Sequence, residues 1–574
     1  MIMEIASTNA VPAISFLLYL LMERISHLLI LLLILQVSFA KDRTITQKYN
    51  IALSTLSSKQ ANKQTGKRAK ASDEKKLITL EEASNYTIIG YKDGGYVVIA
   101  NDDAFQPVVG YSDTTLPLAK PANLQWWLDC MNATLEEMKK AGLSYYTTTF
   151  PSVQSTGVAP LVTAKWDQGE PFNNLCPAIG GTYAGNYVTG CVATAMAQIM
   201  YKHRFPTKGI GSHEYVMANE DGPITLKADF GNTTYDWANM QDEYGDFYLP
   251  IKATAVATLM SHCGISVDME YTLEGSGATT MNAAIALSDY FGYNKNARQL
   301  NRAYYSAEEW MEYIYHDINN GLPILYGASD KVSGGHAFVI DGYDENGLVH
   351  VNWGWGPDGG NGFYDISALN PSTYKFNEDQ HMVVGIDPYH SEPVELLLVS
   401  DGITASKVNN MLLDASASIY NLTKISFIGQ VGLILIAENG NVRELKVLGT
   451  ASEPLELITY SGYTLNGSNP SLMVSSVPAG TYLLCVAAKP AGSSTWIPAR
   501  TADGEVGYYI FKKEGSSYTV TPVEGNVPTG ISSISVNKPT STSKAWYTIN
   551  GQRLNGEPTQ RGIYIHNGQK FVVK

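Results

Sequence analysis

The stretch Gly334-Gly-His-Ala-Phe-Val-Ile-Asp-Gly342 is followed, after Tyr343 to Gly347, by Leu348-Val-His-Val-Asn-Trp-Gly-Trp-Gly356. Each half is a short apolar run of strand length, and Asn346-Gly347 lies between them as a turn signal, which predicts an antiparallel pair. His336 opens the first strand and Asn352 closes the second. For the two to lie directly opposite, paired positions must sum to 688, which centres the connection on Asp344. A two-residue Asn346-Gly347 turn would instead set Asn352 against Asp341, so a wider loop or a bulge is expected around Gly342 to Gly347. On that register His336 takes a proton, the Asn352 amide oxygen fixes the ring's tautomer, and Trp353 shields their hydrogen bond from water. Gly334 and Gly335 leave room beside the histidine for a substrate backbone.

The complementary stretch is Thr189-Gly-Cys-Val-Ala-Thr-Ala-Met-Ala-Gln-Ile-Met200. Val192, Ala195, Met196 and Ile199 form an apolar stripe at helical spacing, so a helix is expected to begin at Cys191. First-turn N–H groups and the positive end of the helix dipole then face its sulfur and favour thiolate. Position alone fits a small buried apolar residue equally well. With His336 and Asn352 the three roles of a thiol protease are filled: nucleophile, base and orienting amide. An oxyanion also needs donors, and the Cys191 N–H with the side chain of Gln168, in Trp166-Asp-Gln-Gly169, supplies two.

Outward from this centre, 574 residues with 44% hydrophobic content suffice for three to four domains. The net charge of -14 is dispersed rather than clustered, which argues against a nucleic-acid partner. From Met22, a charged segment, an apolar run Leu28 to Leu35 and Ser38-Phe-Ala40 read as an export signal over residues 1–40, with Met22 as a possible start. The earlier apolar run Val11 to Leu21 leaves a membrane anchor as the alternative, although no charge-free run reaches the ~20 residues of a span. Residues 41 to about 77 are polar and read as a mobile leader. Strands at Tyr86 to Gly90 and Tyr96 to Ala100, then an amphipathic helix through Leu124, Trp127, Met131 and Met138, make a small α+β unit. A Ser, Thr and Pro stretch from Tyr146 to Pro160 is the expected processing site. Residues 158–390 read as an α+β domain with an antiparallel sheet, 391–527 as an immunoglobulin-like β-sandwich, and 528–574 as a β tail.

Five cysteines at irregular spacing match neither a zinc motif nor a disulfide framework, and their odd number leaves at least one thiol free. Neighbouring His262 and Cys263 cannot form a dyad, because adjacent helical side chains diverge by about 100 degrees. His203 and His213 lack a third ligand at metal spacing and read as surface or loop-packing residues; His350 reads as structural. No metal or other cofactor is implied. Gly-x-Ser-x-Gly and His-Glu-x-x-His motifs are missing from the chain.

The segments Trp166 to Asn173, Thr189 to Pro206, Gly275 to Tyr293 and Gly334 to Tyr364 together resemble the streptopain family of secreted, papain-like cysteine proteases. The resemblance runs from about Tyr86 to Tyr389. It implies a Cys191–His336 dyad, Gln168 in the oxyanion hole, Asn352 and Trp353 supporting the histidine, and Ser276, Gly277, Gly334 and Gly335 bordering the substrate cleft. It also implies that residues 41–157 are an inhibitory propeptide acting on the chain's own enzyme, that substrates are proteins or peptides, and that the mature form is a monomer without a stable membrane span. The loop Pro371 to Gln380 is less glycine-rich than in streptopain. The family core does not need the residues after Tyr389, whose end resembles sorting segments of exported Gram-negative proteins. An acyltransferase on the same fold, or a non-catalytic surface adhesin, are the competing functions.

Overall fold

The computed structural model describes residues 41–63, 76–140, 157–178, 185–218, 222–272, 275–330, 334–366, 380–390, 394–468, 470–528 and four strands between 546 and 573. The expected export signal over 1–40, the linker before residue 157, the loop from Pro371 to Asp379 and the expected Asn550-Gly551 and Asn567-Gly568 turns lie outside those residues.

The N-terminal unit contains α1 (Ile45–Lys63), β1 (Ile78–Glu82), β2 (Tyr86–Gly90), β3 (Tyr96–Ala100), β4 (Val108–Ser112) and α2 (Ala122–Lys140). The runs Tyr-Thr-Ile-Ile-Gly and Tyr-Val-Val-Ile-Ala are buried throughout, so both faces of the hairpin they form are covered. α1 corrects the expectation of a mobile leader. Ala52 and Leu56 are buried against the sheet, while the Lys48 ammonium donates to Thr87 Oγ1 at 3.0 Å and Asn101 Oδ1 at 2.7 Å. Burial here relies on a hydrogen-bonded lysine, which an apolar-periodicity reading misses.

The central unit follows with α3 (Cys191–His203), β5 (His213–Met217), β6 (Ile224–Ala228), α4 (Pro250–Ser266), α5 (Thr280–Asp289), β7 (Arg298–Asn301), α6 (Ala307–Asn319), β8 (Ile324–Asp330), β9 (Gly334–Tyr343), β10 (Val349–Asn352), β11 (Gly362–Tyr364) and β12 (His381–Val384). α6 starts at a capping box, in which the Ser306 hydroxyl accepts from Glu309 N–H and the Glu309 carboxylate accepts from Ser306 N–H. The two units share one ten-stranded sheet, ordered β1-β2-β3-β4-β11-β10-β9-β8-β12-β7. Their seam is β4 against β11, with Tyr111 opposite Phe363, Gly110 opposite Tyr364, and the hydroxyls of Tyr96 and Tyr364 at 2.6 Å.

Side chains alternate across β9. Ala337 and Val339 pack with α3, α4 and α5 on one face, and Phe338 and Ile340 with α2 and α6 on the other. The β9–β10 register differs from expectation. His350 pairs with Gly342 and Val351 with Ile340, so Asp341 is the bulged residue and Asn352 lies opposite Val339. The bulge exists but falls inside the strands rather than in the loop. Asp341 is fully buried there, with His350 Nδ1 at 2.6 Å from one carboxylate oxygen and Val162 N–H donating to the other at 2.7 Å.

Beyond residue 397 the chain forms a β-sandwich whose core includes Leu413, Ile419, Leu433, Leu484 and Phe511. Burial alternates strictly along Leu412–Asn421, which fits a strand with one face on that core. The sandwich is docked on the central unit. Arg500 Nη2 meets Glu309 Oε1 at 3.0 Å with the guanidinium over the Tyr305 ring, and Lys424 Nζ reaches Ser288 Oγ at 2.6 Å. Leu397 and Val399 are buried in the apolar cluster that the N-terminal and central units share.

Trp127 of α2 tests the shared core. It is fully buried, donates to Asp365 O at 2.9 Å and meets the Tyr364 ring edge-on. Trp127→Ala is expected to destabilise the protein by about 3–5 kcal/mol, read as a lowered midpoint in a thermal melt.

Candidate active site

Cys191 is half-buried at the first position of α3. The residue before it, Gly190, has φ 86°, and a Cβ there would lie 2.7 Å from Met269 Sδ and 2.8 Å from Ser276 O. Only glycine serves at a left-handed position this crowded. No side chain caps this helix end, so its first N–H groups stay directed at the sulfur. The Ala337 N–H, from β9, donates to Cys191 Sγ at 3.3 Å. Burial raises the thiol above its ordinary pKa, against the opposing pull of the N–H groups of Ala337, Val192 and Cys191 itself. In this form, with the N-terminal unit in place, the sulfur is therefore held toward the neutral thiol.

His336 precedes Ala337 and lines the same cleft as Cys191, a cavity of about 470 Å³ also bordered by Gly277, Gly335, Thr280 and His381. Thiol and imidazole thus border one cleft, the first from a helix tip and the second from the strand on which that tip rests. Gln168 is buried, and its carbonyl accepts Thr189 N–H at 3.0 Å, which fixes its segment two residues from Cys191.

Asn352 is placed differently from the sequence expectation. The bulge sets it against Val339, three residues (about 10 Å) along β9 from His336. Its amide nitrogen donates to Ala164 O at 2.7 Å and its oxygen accepts Gly354 N–H at 3.1 Å, so both ends are engaged away from the histidine. With Gly356 N–H donating to Trp166 O at 2.9 Å, this stitches the loop after β10 to the segment that carries Gln168. Trp353 is fully buried between Phe338 and Tyr364. Gly277 and Gly335 border the cleft, whereas the Ser276 hydroxyl donates to Val188 O at 2.7 Å and ties its loop to the segment just before Cys191.

Two features had no sequence signal. The Ala337 amide belongs to the backbone and leaves no mark in residue type. Asn123, in α2 of the N-terminal unit, is fully buried and donates to Trp353 O at 3.2 Å and Ala337 O at 3.4 Å. It contacts the carbonyl of the same residue whose N–H serves Cys191.

All five cysteines are free thiols. Burial pushes Cys176 and Cys485 up to about 12, and Cys263 packs against Met200. His203 is buried rather than superficial, with Nδ1 3.3 Å from Tyr293 OH, and burial lowers it to about 4. His213 is pinned between Asp268 and Tyr290.

Comparison with known proteins agrees with this geometry. The peptidase C10 family matches residues 166–364, and the Spi protease inhibitor family matches residues 43–135. Streptopain of Streptococcus pyogenes is 33% identical over 327 residues, covering 53% of this chain and 81% of that protein. A thiol protease/hemagglutinin of Porphyromonas gingivalis is 32% identical over 339 residues, covering 55% of this chain and 38% of its own. Among solved structures, a prointerpain A fragment of Prevotella intermedia superposes with a TM-score of 0.50 at 39% identity, over 55% of this chain and 99% of the fragment.

Because the raised thiol is mostly protonated at neutral pH, iodoacetamide should alkylate Cys191 in the precursor more slowly than a free cysteine. The rate should climb as pH passes above the ordinary thiol range of about 8.5. Gly190→Ala should slow alkylation further and remove cleavage activity, as read by peptide mapping and a peptide assay.

Proposed function

The chain belongs to the peptidase C10 family of streptopain-like cysteine endopeptidases, and on that premise we propose that Cys191 and His336 carry out its peptide hydrolysis, with Gln168 completing the oxyanion site. The observation that carries this reading is the convergence in one cleft of a helix-tip sulfur and a strand-borne imidazole. His336 removes the thiol proton as the sulfur attacks the peptide carbonyl. The Cys191 N–H and the Gln168 amide stabilise the resulting oxyanion. His336 then gives its proton to the leaving amine, and a thioester remains on Cys191. Water, deprotonated by His336, attacks the thioester, releases the acid product and regenerates the thiol.

The protein is made as a zymogen, with the Spi-type unit as its inhibitor. Four strands of that unit extend the catalytic sheet, and Asn123 anchors its helix beside the Ala337 peptide. Cleavage in the linker before residue 157 then frees the enzyme. Asn352 and Trp353 act as positioning residues, Asn352 through Ala164 on the Gln168 segment and Trp353 through Phe338 on β9. Gly277 and the Gly334-Gly335 pair border the bound peptide. Export through the leader at 1–40, outer-membrane sorting through the 528–574 tail, and a monomeric mature enzyme complete the proposal. No helix among the described residues is long and apolar enough to cross a membrane.

Cys191→Ala should abolish cleavage of a fluorogenic peptide and leave the purified precursor uncut. Gln168→Ala should lower kcat by about 10²–10³ with little change in KM. Asn123→Ala should shorten the lag of self-processing, followed by gel electrophoresis against time. Prompt maturation of the Cys191→Ala precursor in isolation would overturn the assignment of the nucleophile.

A further inference from the structure

The chain between β6 and α4 folds back on the segment that carries Gln168. Trp166 Nε1 donates to Gln241 O at 2.8 Å, Lys165 N–H donates to Asp242 O at 2.7 Å, and the Tyr244 ring meets Phe172 edge-on. Tyr248 completes the attachment. Its hydroxyl donates to Glu170 Oε1 at 2.8 Å, two residues along from Gln168.

While Tyr248 turns toward that segment, its neighbours turn to solvent, as alternate residues of extended backbone do. Phe247 is 98% exposed and Leu249 61%, and Ile251, in the first turn of α4, is 54% exposed. Single exposed apolar side chains need no explanation, but three within five residues on an anchored loop form a patch. None of residues 165–172 lines the cavity of about 470 Å³, whose wall is formed by Gly277 to Met281, so the patch serves the Gln168 flank of the site. Two residue steps and the two bonded side chains put Tyr248 at most about 22 Å from Gln168. About seven residues of an extended chain cover that span at 3.3 Å each.

The charges near the patch are Glu170, Asp242, Glu243 and Asp246 against Lys165 and Lys252. This is the reverse of the basic flanks that hold an apolar wedge on an anionic membrane. Three side chains are also too few for a free-standing protein partner, since a standard stable interface takes roughly 20 residues a side. A substrate already held at Cys191 needs no such area, because the tether sets its effective concentration at the patch.

We infer that Phe247, Leu249 and Ile251 form an accessory binding surface for the substrate chain itself, taking apolar side chains up to about seven residues from the cleaved bond and so favouring long, unfolded polypeptides over short peptides. That role rests on Cys191 and Gln168 marking the cleaved bond, as proposed above, and the test separates the two.

One fluorogenic peptide that the processed wild type cleaves is made short, and is made longer by about ten residues at either end, with Leu at every second added position or with Ser in place of each Leu. In wild type the Leu extension at one of the two ends should lower KM about tenfold relative to the Ser extension, the scale of burying one large apolar side chain. The double variant Phe247→Ser, Leu249→Ser should bring that ratio close to one, and Phe247→Leu, which keeps an apolar surface, should preserve most of it. Both side chains are exposed, so the melting midpoint should hold. A structural role for the loop would raise KM for short and long peptides alike. That result overturns the docking role, as does a wild-type ratio near one at both ends, or a ratio unchanged in the double variant. A dimer in gel filtration, or binding to phosphatidylcholine vesicles, that is lost in the double variant while the ratio stays intact assigns the patch to a second copy or a membrane instead. Cleavage of the short peptide that survives Cys191→Ala overturns the reading of the site and the docking role with it.

Discussion

The amide of Ala337 donates to the sulfur of Cys191, and at that contact the first turn of α3 rests on the strand that bears the histidine. A helix without a side-chain cap presents its N–H groups to whatever lies at its tip, and here a strand held by ladders on both sides occupies that place. The geometry of the proposed site is therefore a property of sheet register, since a slip of β9 by one residue would exchange the side chains that face α3. The buried Asp341, bonded to both His350 and the Val162 amide at the bulge, fixes that register from the far end of the strand.

Much of this arrangement was legible in the residues. Cys191 opens a helix because a periodic apolar stripe begins at Val192, and the α6 boundary follows from Ser306 and Glu309, whose side chains identify a helix start by their chemistry. The β9 and β10 runs are strand-like on any reading. What escaped was set by pairing between distant parts of the chain. The Asp341 bulge depends on two buried hydrogen bonds, and without it Asn352 could be assigned to the histidine by spacing alone. Its real partners, Ala164 and Gly354, are backbone groups that no residue type announces. α1 escaped for a related reason. Its buried face holds a lysine, and a lysine at an interior position reads as solvent-facing until Thr87 and Asn101 are seen beside it.

The sandwich shows how a module outside the family core is held. Glu309 is shared between the α6 capping box and Arg500. Burial opposes ionisation of its carboxyl, but Arg500 and the Ser306 amide hold it below the usual carboxylate range. A group that terminates a helix in the catalytic unit thereby also anchors the sandwich. Lys424 grips α5 near its C-terminal end, and the N-terminal end of that helix is a wall of the cleft that holds Cys191. The sandwich is thus in mechanical contact with an element that shapes the site.

The seam between β4 and β11 has a consequence for the processed enzyme. Departure of the N-terminal unit takes four of ten strands from a continuous ladder and leaves Gly362–Tyr364 as a new margin with unpaired backbone groups. Long bare margins recruit other chains and promote aggregation, whereas very short ones offer too few bonds to hold a stranger. At three residues, this margin provides a small foothold. The scaffold can thus be left unfinished on one side without becoming adhesive.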